Sequence, residues 1–326
     1  MQKRFVAAIA IAACTPFTAA SLSAQNVATT PHHAARAWTP PKTPDGQPDL
    51  QGYWTSATYT PLERPAELKD KAFFSEQEAA DYARLRNEAL NDQASDDIHY
   101  DNSIWQSEKG QKGLSSLRTS LIVDPPDGRI PPLTTEAQSR QAEIAAARRA
   151  AGGAYDSVQN RPLAERCIIW PHEGPPMLPV GYNSNLQFVQ GPGYVVVIQE
   201  MIHNTRVIPL DGRPHIAAAI RQYSGDSRGR WEGNTLVVET TNFTGRTQFQ
   251  RSTAALKVTE RFTPIDPQTI EYQFTVEDPA TWARPWTAEY PMSRTSDPIY
   301  EYACHEGNYG MANILRAQRE AEKAIK

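Results

Sequence analysis

The residues best able to move a proton sit inside strand-like runs. In Leu256-Lys257-Val258-Thr259-Glu260-Arg261-Phe262 the side chains alternate between two faces, and Glu260 shares one with Leu256, Val258 and Phe262. A carboxyl on an apolar face loses hydration. Its charged form is then disfavoured, and its pKa rises toward the range useful for acid–base work. The structural alternative is a Glu260 near an open end, paired with an arginine such as Arg261 or Arg284. A second group is Glu200, His203 and Arg206. Val195, Val197, Gln199, Met201 and His203 alternate on one face with Glu200 opposite, and a bulge near His203 would bring the acid and the imidazole together. Such a pair in an apolar cavity suits proton transfer, whereas a lone strand histidine is ordinarily at the surface or structurally hydrogen-bonded. The third group, Cys304-His305-Glu306-Gly307-Asn308-Tyr309, is the densest polar cluster and sits where a strand would end.

From these groups the candidate catalytic residues are Glu260, His203 and His305. The candidate substrate-binding residues are Asn242, Arg206, Glu200, Glu306, Asn308 and Tyr272. Asn242 continues the face of Leu236, Val238 and Thr240, and Tyr272 shares a face with Ile270, Phe274 and Val276. Asp226, Arg228 and Arg230 read instead as a turn network with Glu232.

Other chemistries lack their residue patterns. The chain has no Gly-X-Ser-X-Gly elbow, no His-Glu-X-X-His helix, no glycine-rich phosphate loop and no Cys-X-X-Cys pair. His203, His215 and His305 have no metal-ligand spacing, so neither a metal nor a cofactor is expected. The formal charge is −4 and no basic cluster stands out beyond the N-terminus, which argues against nucleic acid as a partner. What remains is cofactor-free acid–base chemistry on a small hydrophobic or aromatic molecule: isomerisation, hydration or elimination, or hydrolysis. A binding or carrier protein with the same pocket is the alternative from another class, and a structural envelope protein a third.

The elements that would position these residues are mainly strands. From Tyr182 onward, Val/Ile-rich or alternating runs end at turn residues: Gly193–Met201, His203–Leu210, Thr235–Phe243 after Gly233-Asn234, Leu256–Ile265, Thr269–Val276, Trp286–Met292 and Ile299–Cys304. Leu50-Gln51-Gly52-Tyr53-Trp54 starts an earlier strand. This spacing predicts an antiparallel meander closed by the early strand into an up-and-down barrel, which would remove exposed edges. Residues 62–180 read as a helix- and loop-rich insertion. Ser75 and Glu78 open a helix running to about Leu90, Ser116–Val123 offers a short strand, and Thr134 or Thr135 starts a second helix. Met311–Lys326 is an amphipathic C-terminal helix. The 26 prolines argue against a mainly helical fold.

The N-terminus reads as an export signal. Lys3 and Arg4 precede the apolar run Phe5–Ala13, and cleavage is expected after Ala24. The run is shorter than the roughly 20 residues of a spanning helix, and no later segment is apolar enough to cross a membrane. Residues 1–24 are therefore the signal peptide, 25–48 an extended leader and 49–326 a single domain, periplasmic or secreted. Ile11-Ala12-Ala13-Cys14 also reads loosely as a lipoprotein site, which would leave Cys14 lipidated and the protein tethered. In an oxidising compartment the remaining pair, Cys167 and Cys304, favours a disulfide. The alternative is a catalytic cysteine beside His172 or His305.

Two resemblances add to this reading. Gly52-Tyr53-Trp54 resembles the Gly-X-Trp signature at the first strand of lipocalins, and the hairpin Trp231–Leu236 is common in lipocalin-like barrels. Arg228–Gly233, Thr240-Thr241-Asn242-Phe243, Asp278–Trp282 and Cys304–Tyr309 are similar to a large group of secreted bacterial proteins, mostly labelled hypothetical. That likeness spans nearly all of the mature chain and implies export, but no established activity. The expected fold is thus mainly β, an antiparallel lipocalin- or calycin-like barrel with a helical insertion and a C-terminal helix.

Overall fold

The computed structural model describes residues 38–91, 113–150, 153–170, 172–179, 182–246 and 249–325. The expected signal peptide, Cys14 and the leader as far as residue 37 lie outside the described residues.

The chain is mainly β. Its strands are β1 (Gly52–Thr55), β2 (Ile122–Asp124), β3 (Asn185–Gly191), β4 (Tyr194–Gln199), β5 (Thr205–Pro209), β6 (Asp226–Glu232), β7 (Thr235–Thr241), β8 (Lys257–Asp266), β9 (Thr269–Glu277) and β10 (Trp286–Arg294). They form one antiparallel sheet in the order β5-β4-β3-β1-β10-β9-β8-β7-β6, with β2 also pairing β10. Alternation sets the buried face. Register places Phe262 opposite Tyr272, Glu260 opposite Phe274 and Val258 opposite Val276, while Tyr290 and Ala288 of β10 face Tyr272 and Phe274. All of these side chains are buried. The rings interlock: Phe262–Tyr272 centroids lie 4.8 Å apart, Tyr272–Tyr290 5.2 Å and Phe188–Phe262 5.3 Å. Each such pair adds about 0.5–1.5 kcal/mol beyond area burial. The interior is therefore aromatic and apolar, as the alternation predicts.

Among the described residues there are three α-helices. α1 (Glu76–Asn91) opens with the expected capping box: the Glu78 N–H donates to Ser75 Oγ at 3.3 Å, and the Ser75 N–H donates to Glu78 Oε2 at 2.8 Å. α2 (Thr135–Ala150) is capped by Thr134, whose Oγ1 accepts the Ala137 N–H at 3.1 Å. α3 (Tyr309–Ile325) is the C-terminal helix. The stretch between β1 and β3 does more than wrap the outside. It supplies β2, and it sends Met177 into the core, where 2% of that residue is exposed.

Some elements differ from the sequence reading. Ile299–Cys304 is irregular chain rather than a strand. β10 already has β9 on one side and β1 with β2 on the other, so no free edge exists there for another strand. Asn185–Gly191 and Asp226–Glu232 are strands beyond those expected, the first with Leu186 and Phe188 turned inward. β6 turns Ser227 and Gly229 inward, neither of which has an apolar side chain to read.

The closed barrel expected is not what forms. β5 and β6 are the two edges of the sheet, and among the described residues no ladder joins them. They are nevertheless close: a Cβ placed on Gly229 would lie 2.6 Å from Leu210 Cδ2 and 2.8 Å from Ile208 Cγ2. β5 is short and ends in Pro209, which has no N–H to offer a neighbour. At the sheet's middle, Gly52 has φ +124°, and Arg294 Nη1 lies 2.5 Å from where its Cβ would be. That arginine donates to Gln51 O at 3.2 Å and stacks 4.3 Å from the Trp54 ring centroid, locking β1 onto β10.

Candidate functional site

Two of the buried polar groups could carry chemistry, and they differ in whether their partners are complete. The first is centred on Glu260, which is fully buried. Arg206 reaches it from edge strand β5, donating from Nη1 to Oε2 at 2.6 Å and from Nη2 to Oε1 at 3.1 Å. Tyr272 Oη donates to Oε1 at 2.8 Å, and in turn accepts the Met177 N–H at 2.9 Å. Burial opposes the guanidinium charge, but the charge and hydrogen bonds of Glu260 outweigh it and raise the Arg206 pKa. Burial, then the Glu260 charge, pushes the Tyr272 phenol well above its ordinary value. The partner of Glu260 is thus an arginine, but not Arg261 or Arg284: those bind Glu232 at 3.0 Å and Asp124 at 2.6 Å. With both oxygens engaged, Glu260 has the surroundings of an anchoring ion pair.

The second group is incomplete. The loop around residues 172–178 folds over the ends of β3 and β4, closed by the Leu178 N–H donating to His172 O at 2.9 Å. His172, Glu173, Met177 and Leu178 of this loop, together with Asn183, Leu186 and Met201, line a recess of roughly 290 Å³, its open mouth included. Glu173 is 3% exposed. Among the described residues neither of its carboxyl oxygens has a hydrogen-bond partner. Burial pushes its pKa up to about 8, against a weaker pull from the Trp170 backbone, whose approach falls short of a formed hydrogen bond. The same burial lowers the pKa of His172, favouring a neutral imidazole.

A second carboxylate stands behind this wall. Glu200 follows β4 and is 4% exposed; its Oε1 accepts from Asn183 Nδ2 at 3.0 Å, while Oε2 has no partner among the described residues. Asn183 reaches it from a left-handed backbone, φ 52°. Aromatic side chains flank the loop: the Trp170 and Tyr182 rings lie 6.5 Å apart, and Tyr302 hydrogen-bonds with Tyr182. The Tyr302 phenol is raised by burial first, then by Tyr182 and by the Glu173 carboxylate. Tyr302 is held here by the Cys167–Cys304 disulfide, Cα–Cα 5.7 Å, so the bonded state of these cysteines stands and the nucleophile alternative does not.

The other sequence candidates are scattered. His203 is exposed in the 3-10 turn Met201–His203, at φ 59°, and it joins Glu200 only through its backbone N–H, which donates to Glu200 O at 3.1 Å. His305, Glu306 and Asn308 are exposed beside the disulfide. Asn242 serves the backbone: its Nδ2 donates to the carbonyls of Ile216, Ala217 and Ile220, each at 3.1 Å. Asp226 and Arg230 lie within β6, paired with Arg228 at 2.8 Å and Glu232 at 2.7 Å. Sequence reasoning therefore found Glu200 but missed Glu173. Its only signal was His172-Glu173 between prolines, in a stretch without periodicity.

Chemically, the recess offers a buried carboxyl without a hydrogen-bond partner among the described residues, a neutral imidazole next to it, and a half-apolar wall. Such a carboxyl holds its proton near neutrality and can give it up to a base. Compared with protein families, curated proteins and solved structures, the chain matches none.

Proposed function

We propose that this chain is an exported enzyme that moves a proton on a small, largely apolar or aromatic molecule without a cofactor, with Glu173 as the acid–base group. The observation that carries this reading is the buried Glu173 carboxyl, unpartnered among the described residues, with a pKa of about 8, at the wall of a recess. A pKa near the working pH is what general acid–base catalysis requires. The enclosed part of the recess has room for about one water molecule, so a substrate would reach Glu173 with a small group rather than enter whole. Glu260 and Arg206 serve as the anchor of the interior, and Tyr272 with Met177 ties that anchor to the recess loop. The rolled antiparallel sheet and its Gly52-Tyr53-Trp54 strand support a lipocalin-like architecture, and the disulfide supports an oxidising compartment such as the periplasm.

In the proposed step the carboxylate of Glu173 takes a proton from a substrate carbon while the electron pair stays on the substrate. Its conjugate acid then returns the proton to the same or a neighbouring atom. The group exchanges with solvent between turnovers, so the reaction labels the substrate from heavy water. Small-molecule extract from the native periplasm, incubated with the protein in D2O, should gain deuterium at a specific compound; H2¹⁸O would mark hydrolysis. Glu173→Gln should slow that incorporation by roughly 10²-fold or more. A ligand that is retained without any isotope exchange would return the protein to the carriers.

A further inference from the structure

Between α2 and β3 the chain carries the Glu173 carboxyl on a loop with few hydrogen bonds of its own. Glu173 is joined to Met177 by Gly174-Pro175-Pro176. Neither proline has an N–H to donate and each ring fixes its φ, so this linker is stiff. Gly174, at φ +84°, makes the turn: a Cβ there would lie 2.5 Å from Pro176 C and 2.7 Å from Met177 N. The Leu178 N–H, donating to His172 O at 2.9 Å, closes the loop on the other side of Glu173. Met177 fixes the loop to the interior. Its N–H donates to Tyr272 Oη at 2.9 Å, and its carbonyl accepts from Tyr290 Oη at 3.2 Å. The two tyrosines face each other across β9 and β10, and both are buried. Glu260 sets the direction of this chain: it accepts the Tyr272 O–H at 2.8 Å, which leaves the phenol oxygen to accept from Met177.

Building on the acid–base reading of Glu173, we infer that Tyr272 and Tyr290 are its positioning residues: by gripping both backbone groups of Met177, they hold the stiff loop down and keep the Glu173 carboxyl out of water. No hydrogen bond joins either phenol to the carboxyl, so they act through Met177 and the Gly-Pro-Pro linker. Removing one phenol hydroxyl leaves a buried backbone group of Met177 without its partner, and admitting water under the loop relieves that cost. The same water hydrates Glu173, whose pKa is raised by burial, and so brings it down. The interior ion pair thereby reaches the recess: Arg206 fixes Glu260, Glu260 orients Tyr272, and Tyr272 holds the loop. The ionisable groups nearest Glu173 do not blur its titration. Between pH 7 and 9 His172 of the same loop stays neutral, and Tyr302, Tyr272 and Tyr290 keep their protons.

The test is an NMR titration of the full chain with ¹³C-labelled glutamate carboxyls, the Glu173 signal being the one lost in Glu173→Gln. In the wild type it should titrate near pH 8. Tyr290→Phe and Tyr272→Phe should each lower that midpoint by about one pH unit or more. Gly174→Ala breaks the linker from the other end with both phenols intact, and should lower it as well, which keeps the inference open to refutation even if the tyrosine variants do not fold. Thr240→Val is the control: it removes the buried 2.9 Å hydrogen bond between Ser227 Oγ and Thr240 Oγ1, on β6 and β7. It loosens the core without touching the loop, and should leave the Glu173 midpoint in place. The inference is overturned if the folded variants at Tyr272, Tyr290 and Gly174 titrate as the wild type does, or if Thr240→Val moves the midpoint as far as they do. Isotope exchange separates the two readings. A wild-type midpoint near 4.5 removes both; a midpoint near 8 that these variants do not move removes the positioning role alone; the expected movement without exchange by the wild type removes the enzyme alone.

Discussion

Glu173 is a buried carboxyl, unpartnered among the described residues, and this has a cost that depends on pH. Its pKa is about 8 in the folded chain against an ordinary 4.5. Between those values the folded chain keeps a proton that the unfolded chain has released. Stability therefore falls as pH rises through this window, by at most about 1.4 kcal/mol per pH unit. Below pH 4.5 both states hold the proton and the effect is absent. Glu173→Gln imitates the protonated acid and should lack the slope. Urea unfolding at pH 5 and pH 8 should show the wild type losing roughly 3 kcal/mol more than the variant over that range. Equal losses would mean that the carboxyl ionises freely in the fold. The contrast with Glu260 explains what the sequence disclosed at this scale. Glu260 lies on a strand, where period-two alternation announces burial. Glu173 lies in a loop between prolines, where no period exists and burial depends on distant strands. Glu200 stood out at the end of a strand run, but that pattern put it opposite the Val195 and Val197 face, whereas it follows β4 and is buried.

At the level of elements, strands with alternating apolar residues and helices with a capping pair were readable. Lys257–Asp266, Thr269–Glu277 and Trp286–Arg294 lie within a few residues of their expected bounds, as does the helix opened by Ser75 and Glu78. β6 was obscured by Ser227 and Gly229 on its inward face, whereas β3 turns Leu186 and Phe188 inward and its alternation was there to read. The segment after β10 was misread because pairing depends on a free edge, which no local pattern reports. What secures that segment is covalent. The Cys167–Cys304 bridge spans 137 residues and draws Tyr302 against the recess loop, while α3 is tied by Arg319 donating to Tyr155 O at 3.1 Å and Asp156 O at 2.6 Å. Chain-entropy arguments give a loop of this length roughly 2–5 kcal/mol of stabilisation. Cys304→Ser should lower the urea-unfolding free energy by that order and speed amide exchange over residues 299–308. Thiol labelling of the unfolded, unreduced chain lacking residues 1–24 should find no free cysteine. An unchanged midpoint would show that the noncovalent contacts alone hold the segment.

Over the whole molecule, the sheet rolls until its two edges meet without a ladder, so something other than hydrogen bonding along a seam must hold the curl. Side-chain packing of Ile208 and Leu210 on Gly229 contributes. Arg206 contributes more specifically, because it stands on edge strand β5 and grips Glu260 of β8, a strand at the far side of the sheet order. A buried ion pair is a poor source of net stability, but removing one partner strands the other charge in the core and costs about 3–5 kcal/mol. Arg206→Met should therefore destabilise the chain by that order and raise amide exchange first in β5 and β4, the strands that lose their tie. Adding Glu260→Gln removes the stranded charge and leaves an amide that can still accept from Tyr272. The double variant should recover more than half of the lost free energy in urea unfolding, while its β5 amides stay faster than in the wild type. Recovery of both quantities would mean that packing alone holds the curl. Recovery of neither would mean that the Arg206 side chain fills space that Met cannot. The predicted split, stability regained but the edge still loose, is the signature of an ion pair that positions an edge strand rather than one that stabilises a core.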